Sequence, residues 1–251
     1  MPDTRRHRGP HPEDAELFAP ASWPALRAAT ADLSWLLSRG YAEPSSLKLV
    51  GDRFQLTERQ RTAVMRSACS DQALQHRRQT QVPAERIAGE RLDIDGFNVL
   101  TTVEAALAHG VILGGRDGCY RDMASMHGSY RKVDETEPAL TLIGEVLNEF
   151  RPAECCWYLD RPVSNSGRVR TRLERLAAER GWPWQVELAG NVDSVLAASP
   201  HIVATADSVI LDRCQRWFNA AQEVVSRRLP NAVIVRFGFR VHTLPTQPPI
   251  G

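Results

Sequence analysis

The chain has 251 residues, 43% hydrophobic and 24% charged, the composition of a soluble globular protein long enough to bury a core. A formal net charge of +1 provides no global field toward nucleic acid or membrane, so any charged binding patch must be local. No stretch approaches the length of a membrane span, and MPDTRRHRGPHPEDAELF lacks the apolar segment of a signal peptide, so the expectation is a reduced, cytoplasmic protein.

Residues 1–20 read as a disordered tail. A small all-helical domain is expected over residues 21–80. Leu26, Ala29, Leu33, Leu36 and Leu37 fall on one helical face, and Gly40 ends that helix. Thr57 with Gln60 predicts a capping box for TERQRTAVMRSAC. Between these helices, SRGYAEPSSLKLVGDRFQL reads as a compact polar connection, and QTQVPAERIAGE as a linker. The helical segment carries no acidic or phosphate-binding constellation, so it is expected to serve as a scaffold or recognition unit that can be deleted without loss of the site.

From residue 90 to 240 the rhythm alternates. Strands are expected at Leu92–Asp95, Cys155–Leu159, Gln185–Leu188, Ile202–Ala206 and Val233–Phe237. Helices are expected at Val103–His109, Glu137–Phe150, Gly167–Glu179, Asp193–Ala198 and Leu211–Arg228. Short apolar strands separated by helices predict a parallel sheet covered on both faces, a three-layer α/β/α domain. Residues 113–136 are long, polar and aperiodic, which marks a functional loop. Residues 243–251 read as a second disordered tail.

Five cysteines (Cys69, Cys119, Cys155, Cys156 and Cys214) have no ligand spacing, and the adjacent pair lies in an apolar run as small hydrophobes. Lysine occurs only at Lys48 and Lys132. The arginine bias suits phosphate recognition, but a G- and C-rich genome produces it equally well.

The chemistry lies in the acids. Ligands of an open parallel sheet bind outside the carboxyl ends of its strands. The first strand ends in Asp95, CCWYL leads into Asp160, QVEL leads through AGN to Asp193, and HIVATA leads into Asp207. Converging carboxylates repel and raise one another's pKa unless a cation joins them. Mg²⁺ or Mn²⁺ suits such an oxygen-rich set, and the lack of a His or Cys cluster disfavours zinc. Singly, each Asp also suits a turn or a helix cap. Asp93 is expected on the opposite side of the sheet and outside the site.

IDGFNVL resembles the opening strand of the PIN-like nucleases, particularly the NYN branch, and GNVDSVLAASPHIVATADSVILDR resembles their later half. The resemblance implies a Rossmann-like PIN-like fold over residues 90–240. It implies metal ligation by Asp95, Asp193 and Asp207, a polar edge residue at Asn98, and a further acid at Asp212. The family's early-helix acid has its nearest candidate in Glu104, with Asp117 or Asp122 as replacements. Through WLLSRGY, LVGDRFQLTERQR and RDMASMHGSYRKVDET, the whole chain also resembles a bacterial and archaeal family of unknown function.

Beside the acids, Arg116, Arg121, Arg131 and Lys132 lie in the irregular loop with His127, and Ser164, Asn165, Ser166 and Arg168 follow Asp160 at a predicted helix start. Arg116, Arg121 and the 164–168 group are candidates for gripping a nucleic-acid backbone, although a solvated basic face has the same composition. Three functions compete. The first is metal-dependent hydrolysis of RNA or single-stranded nucleic acid, with Asp95, Asp160, Asp193 and Asp207 as catalytic metal ligands. The second is a haloacid-dehalogenase-like phosphatase with Asp93 as nucleophile and Asp95 as acid, though Phe97 stands where a small hydroxyl residue belongs. The third is an inactive PIN-like module that binds nucleic acid or protein.

Overall fold

A computed structural model describes residues 7–123, 130 and 132–237. Of the tail expected at 1–20, residues 1–6 lie outside the described residues and residues 7–20 are structured. Helix α1 (Asp14–Leu17) is fastened by Asp14, which is buried and takes Arg59 Nη2 at 2.9 Å, while Arg8 Nε reaches Glu104 at 2.7 Å. Polar composition suggested disorder, but these ion pairs and the buried Phe18 give residues 7–20 a packed position.

Helices α2 (Trp23–Ser38), α3 (Glu43–Arg53), α4 (Glu58–Ser67) and α5 (Asp71–Thr80) follow. Leu26, Ala29 and Leu33 of α2 are buried, as their spacing predicts. The Thr57–Gln60 capping box opens α4. Helix α3 occupies the expected polar connection. Pro44 in its first turn supplies the start signal, and Ser46, Val50 and Gly51 supply the buried face. The expected linker is also structured: Val82 N–H donates to Trp217 O at 2.7 Å, and Ile87 is buried.

The remaining elements are β1 (Arg91–Asp95), α6 (Gly96–Leu107), β2 (Ile112–Gly114), β3 (Tyr120–Asp122), α7 (Thr136–Glu149), β4 (Glu154–Asp160) and α8 (Ser166–Arg180). Then come β5 (Trp184–Ala189), α9 (Val192–Ala197), β6 (Ile202–Ala204), α10 (Ser208–Leu211), β7 (Trp217–Phe218), α11 (Ala220–Arg228) and β8 (Ile234–Arg236). Five strands form a parallel central sheet in the order β5-β4-β1-β6-β7. A second sheet, β3-β2-β8, joins the β2–β3 hairpin to β8.

Helix α6 starts earlier than expected, directly at the end of β1. A Cβ on Gly96 would lie 2.5 Å from Leu159 Cδ2 and 2.9 Å from Tyr158 O, so only glycine lets the chain turn this close to β4. The expected helix over 211–228 is interrupted by β7, whose Trp217 and Phe218 are buried. The strand expected at 233–237 forms, but it pairs with β2 outside the central sheet. Part of the expected irregular loop becomes the β2–β3 hairpin, turned at Gly118 with φ +84°.

Leu92, Ile94, Trp157 and Leu159 pack toward one face with residues of α6, α7, α8 and α11. Cys156, Tyr158 and Val203 pack toward the other with α9 and α10. A third core joins Leu26, Ala29, Leu33 and Val64 to Val111, Leu113, Val235 and Phe237, so the helical region shares its apolar face with the second sheet. The chain is thus a mixed α/β protein with a five-stranded parallel central sheet and an N-terminal helical region. No described helix is long and apolar enough to cross a membrane. The tail expected at 243–251 lies outside the described residues.

Candidate functional site

Parallel strands finish on one edge, and the neighbouring strands β4, β1 and β6 bring their acids there together. Asp160 closes β4, Asp95 closes β1, and Asp207 follows β6 through Thr205 and Ala206. Asp193 arrives from the first turn of α9, which Asn191 caps by accepting Ser194 N–H at 2.9 Å.

Asp95 is 7% exposed and accepts Thr205 Oγ1–H at 2.7 Å. Burial pushes its carboxyl up to about 7; the Thr205 bond opposes this, and the charges of Asp207, Asp193 and Asp160 reinforce it. Asp193 is also raised, by burial first and then by Asp207 and Asp160. Asp160 is raised by burial against the bond from Val192 N–H. The leading charges acting on Asp95 and Asp193 are all carboxylates.

The turn after β6 is clamped on every side. Thr205 Oγ1 accepts Asp207 N–H at 3.0 Å, and Asn98 Oδ1 accepts Ala206 N–H at 2.8 Å. Arg121 Nε donates to Ala206 O at 2.7 Å. Asp207 Oδ1 accepts Val209 N–H at 2.7 Å as the cap of α10. Asn98 therefore stands against the turn that carries Asp207 and spends its acceptor there. Thr205 escaped sequence reading; its signal was a lone hydroxyl two residues before Asp207.

Asp93 needs correction. Side chains alternate along a strand, so residues 93 and 95 face the same side. Asp93 takes Arg91 Nε at 2.9 Å and Ser199 Oγ–H at 2.6 Å, deeper in the sheet and away from the edge acids.

Other candidates have structural roles. Glu104 is buried against Tyr130, Thr136 and Arg8. Asp122 accepts Thr101 Oγ1–H at 3.0 Å within the core. Arg121, expected to meet phosphate, is buried and places Nη1 and Nη2 on Asp117 at 3.0 and 2.6 Å. Arg77 of α5 approaches the same Asp117 and also reaches Asp212 through Nε at 2.8 Å. Burial would raise the Asp117 carboxyl, but Arg121 and then Arg77 hold it well below the usual carboxylate range. Arg116 binds Cys69 O at 2.8 Å and pairs with Asp71, turning toward α5.

Ser164 and Arg168 are exposed where β4 gives way to α8, Asn165 Nδ2 donates to Tyr130 O at 2.8 Å, and Ser166 is buried. Arg131 and His127 lie outside the described residues.

Among the described residues, no group of three or more His, Cys, Asp or Glu side chains is gathered tightly enough to hold a metal ion. Carboxylate oxygens are donors that hard cations take more readily than zinc does.

The family model described as Domain of unknown function (DUF5616) matches residues 84–223, and the one described as Protein of unknown function (DUF434) matches residues 25–80. A Methanocaldococcus jannaschii protein described as uncharacterized is 28% identical over 191 residues, covering 74% of this chain and 89% of that protein. No solved structure matches the chain. With its model spanning more than half of the sequence, the family is established: the chain belongs to DUF5616.

Proposed function

We propose that this protein is a divalent-metal-dependent phosphodiesterase acting on RNA or single-stranded nucleic acid, built on a PIN-like, Rossmann-like domain. The observation that carries the reading is the convergence of Asp95, Asp160, Asp193 and Asp207 on one sheet edge, with Asp95 pushed up to about 7 by burial and its acidic neighbours. Such a set favours either a proton or a cation.

Asp95 and Asp207 are best placed to hold Mg²⁺ or Mn²⁺, because Thr205 and Asn98 fix the turn between them. The bound ion would supply a Lewis acid for the phosphoryl oxygen and an activated water for in-line attack. Asp193 and Asp160, whose carboxyls are raised from the usual range chiefly by burial, would be the nearby proton acceptors. The clamped Ala206 peptide keeps Asp207 from withdrawing when phosphate enters.

The phosphatase reading loses its nucleophile, since Asp93 is buried and occupied by Arg91 and Ser199. The test is incubation of a labelled single-stranded RNA with Mn²⁺. Cleavage is expected, absent with a chelator and in Asp95→Asn, with a chromogenic phosphate monoester left intact. Metal binding without cleavage would favour the inactive module, and folded wild type that neither binds metal nor cleaves would refute the reading.

A further inference from the structure

The pocket between the starts of α7 and α8 gathers cationic side chains. It encloses about 510 Å³ and is lined by Tyr130, Lys132, Thr136, Asn165, Arg168 and Arg172, among others, with no carboxylate among the described residues of its wall. Four arginines of α8 have acidic partners: Arg170 with Glu174, Arg172 with Glu137, Arg175 with Glu137 and Glu179, and Arg180 with Glu145. Arg168 is the exception. Among the described residues, neither it nor Lys132 has a carboxylate within 4.0 Å, and both line this pocket.

Chain direction places the pocket at the carboxyl end of the sheet. Helix α7 leads into the start of β4, so its own start lies by the end of β4; α8 begins just after Asp160, the last residue of β4. The pocket therefore lies toward the carboxyl end of β4, in the α7/α8 layer, across the sheet from the face on which Asp160 meets Val192 of α9. Its floor is rigid. The Tyr130 ring packs 5.0 Å from Phe97, its hydroxyl is bonded to Glu104 and Thr136, and its carbonyl is held by Asn165. Unpaired cations over a polar floor, toward the carboxyl end of the sheet, suit a chain of phosphates that continues away from the reacting one.

We infer that this pocket is the backbone-binding subsite of a single-stranded nucleic acid, with Lys132 and Arg168 contacting phosphates next to the one at the aspartates. The inference rests on the phosphodiesterase reading for the nature of its ligand. Arg172 assists from the rim, where Glu137 takes Nη1 at 3.1 Å.

The test is fluorescence anisotropy of a short labelled single-stranded RNA with the full chain in EDTA, across a salt series. The Lys132→Gln/Arg168→Gln double variant should bind roughly tenfold more weakly, and its log affinity against log salt should flatten by about 0.7 for each lost phosphate contact. Lys132→Arg/Arg168→Lys should restore both. Both positions lie at the pocket surface, and an unchanged circular-dichroism melt separates lost contact from lost fold. Equal affinity and slope in wild type and Gln variant would overturn the subsite, as would wild type that does not bind the RNA. Competition by inorganic phosphate as strong as by the oligonucleotide would also overturn it, by making the pocket a small-anion site. Asp95→Asn should bind RNA like wild type. Wild type that binds the RNA but does not cleave it with Mn²⁺ would remove the catalytic reading and leave the subsite standing, and cleavage with an unchanged KM in the Gln variant would do the reverse.

Discussion

Thr205 donates its hydroxyl to Asp95 Oδ2 at 2.7 Å, tying the end of β1 to the turn that follows β6. That bond favours the ionised carboxylate, yet burial and three acidic neighbours prevail and place Asp95 near 7. In the unfolded chain the same group ionises near 3.8. Between those values the native state holds the additional proton, so stability falls as pH rises from about 4 to about 7. The contribution is fully present below that window and lost above it, and amounts to roughly 4 kcal/mol at most. An asparagine side chain at this position cannot titrate. Urea midpoints measured from about pH 4 to pH 8 should therefore fall more steeply for wild type than for Asp95→Asn; parallel curves would mean that Asp95 is ionised throughout.

The cost of clustered carboxylates also predicts a metal response. A divalent ion that binds only the native state should raise stability by about 2.7 kcal/mol at a hundredfold excess over its Kd. Protons compete for the same oxygens, so the gain should be larger at pH 8 than at pH 6. Thermal melts with and without Mn²⁺ measure this. Asp95→Asn should abolish the response, with an apo melting temperature no lower than that of apo wild type.

Removal of the Thr205 hydroxyl isolates its share. Thr205→Val keeps the shape but deprives Asp95 of a donor and Asp207 N–H of an acceptor. A loss of about 1–3 kcal/mol is expected at pH 8, where Asp95 is ionised. At pH 5, where it is protonated, the loss should shrink, and a pH-independent loss would point to packing alone.

Asp117 joins the helical region to the site. Its carboxylate lies between the buried guanidinium groups of Arg77 and Arg121, and Arg121 in turn holds Ala206 O beside Asp207. Asp117→Ala leaves two buried cations without their shared partner, at an expected cost of about 3–5 kcal/mol in chemical denaturation. A truncated chain beginning at residue 84 would lose Arg77 and uncover Val111, Leu113 and Val235. It should melt well below the full chain and bind Mn²⁺ more weakly, contrary to the separable scaffold expected from sequence.

The cysteines should be silent in the native protein. All five are free and buried, and burial pushes Cys155 up to about 12 and Cys69, Cys156 and Cys214 up to about 11. Ellman's reagent should find no thiolate near pH 7 until denaturant is added, and then five thiols.

What the sequence determined by itself was local. Apolar runs marked β1, β4 and β5, helical spacing marked the buried face of α2, and the Thr57–Gln60 pair marked the start of α4, because each signal lies within a few residues of its consequence. The same holds for the order of strand then acid at Asp95, Asp160 and Asp207. Tertiary structure decided the rest. Strand order, the placement of β8 in a second sheet and the two-residue β7 depend on hydrogen bonds between distant segments. Arg121 could not be assigned until Asp117 and Ala206 O stood beside it. A charged side chain has the same composition whether it faces water, a buried partner or a ligand; the partners that the fold brings within reach decide among these.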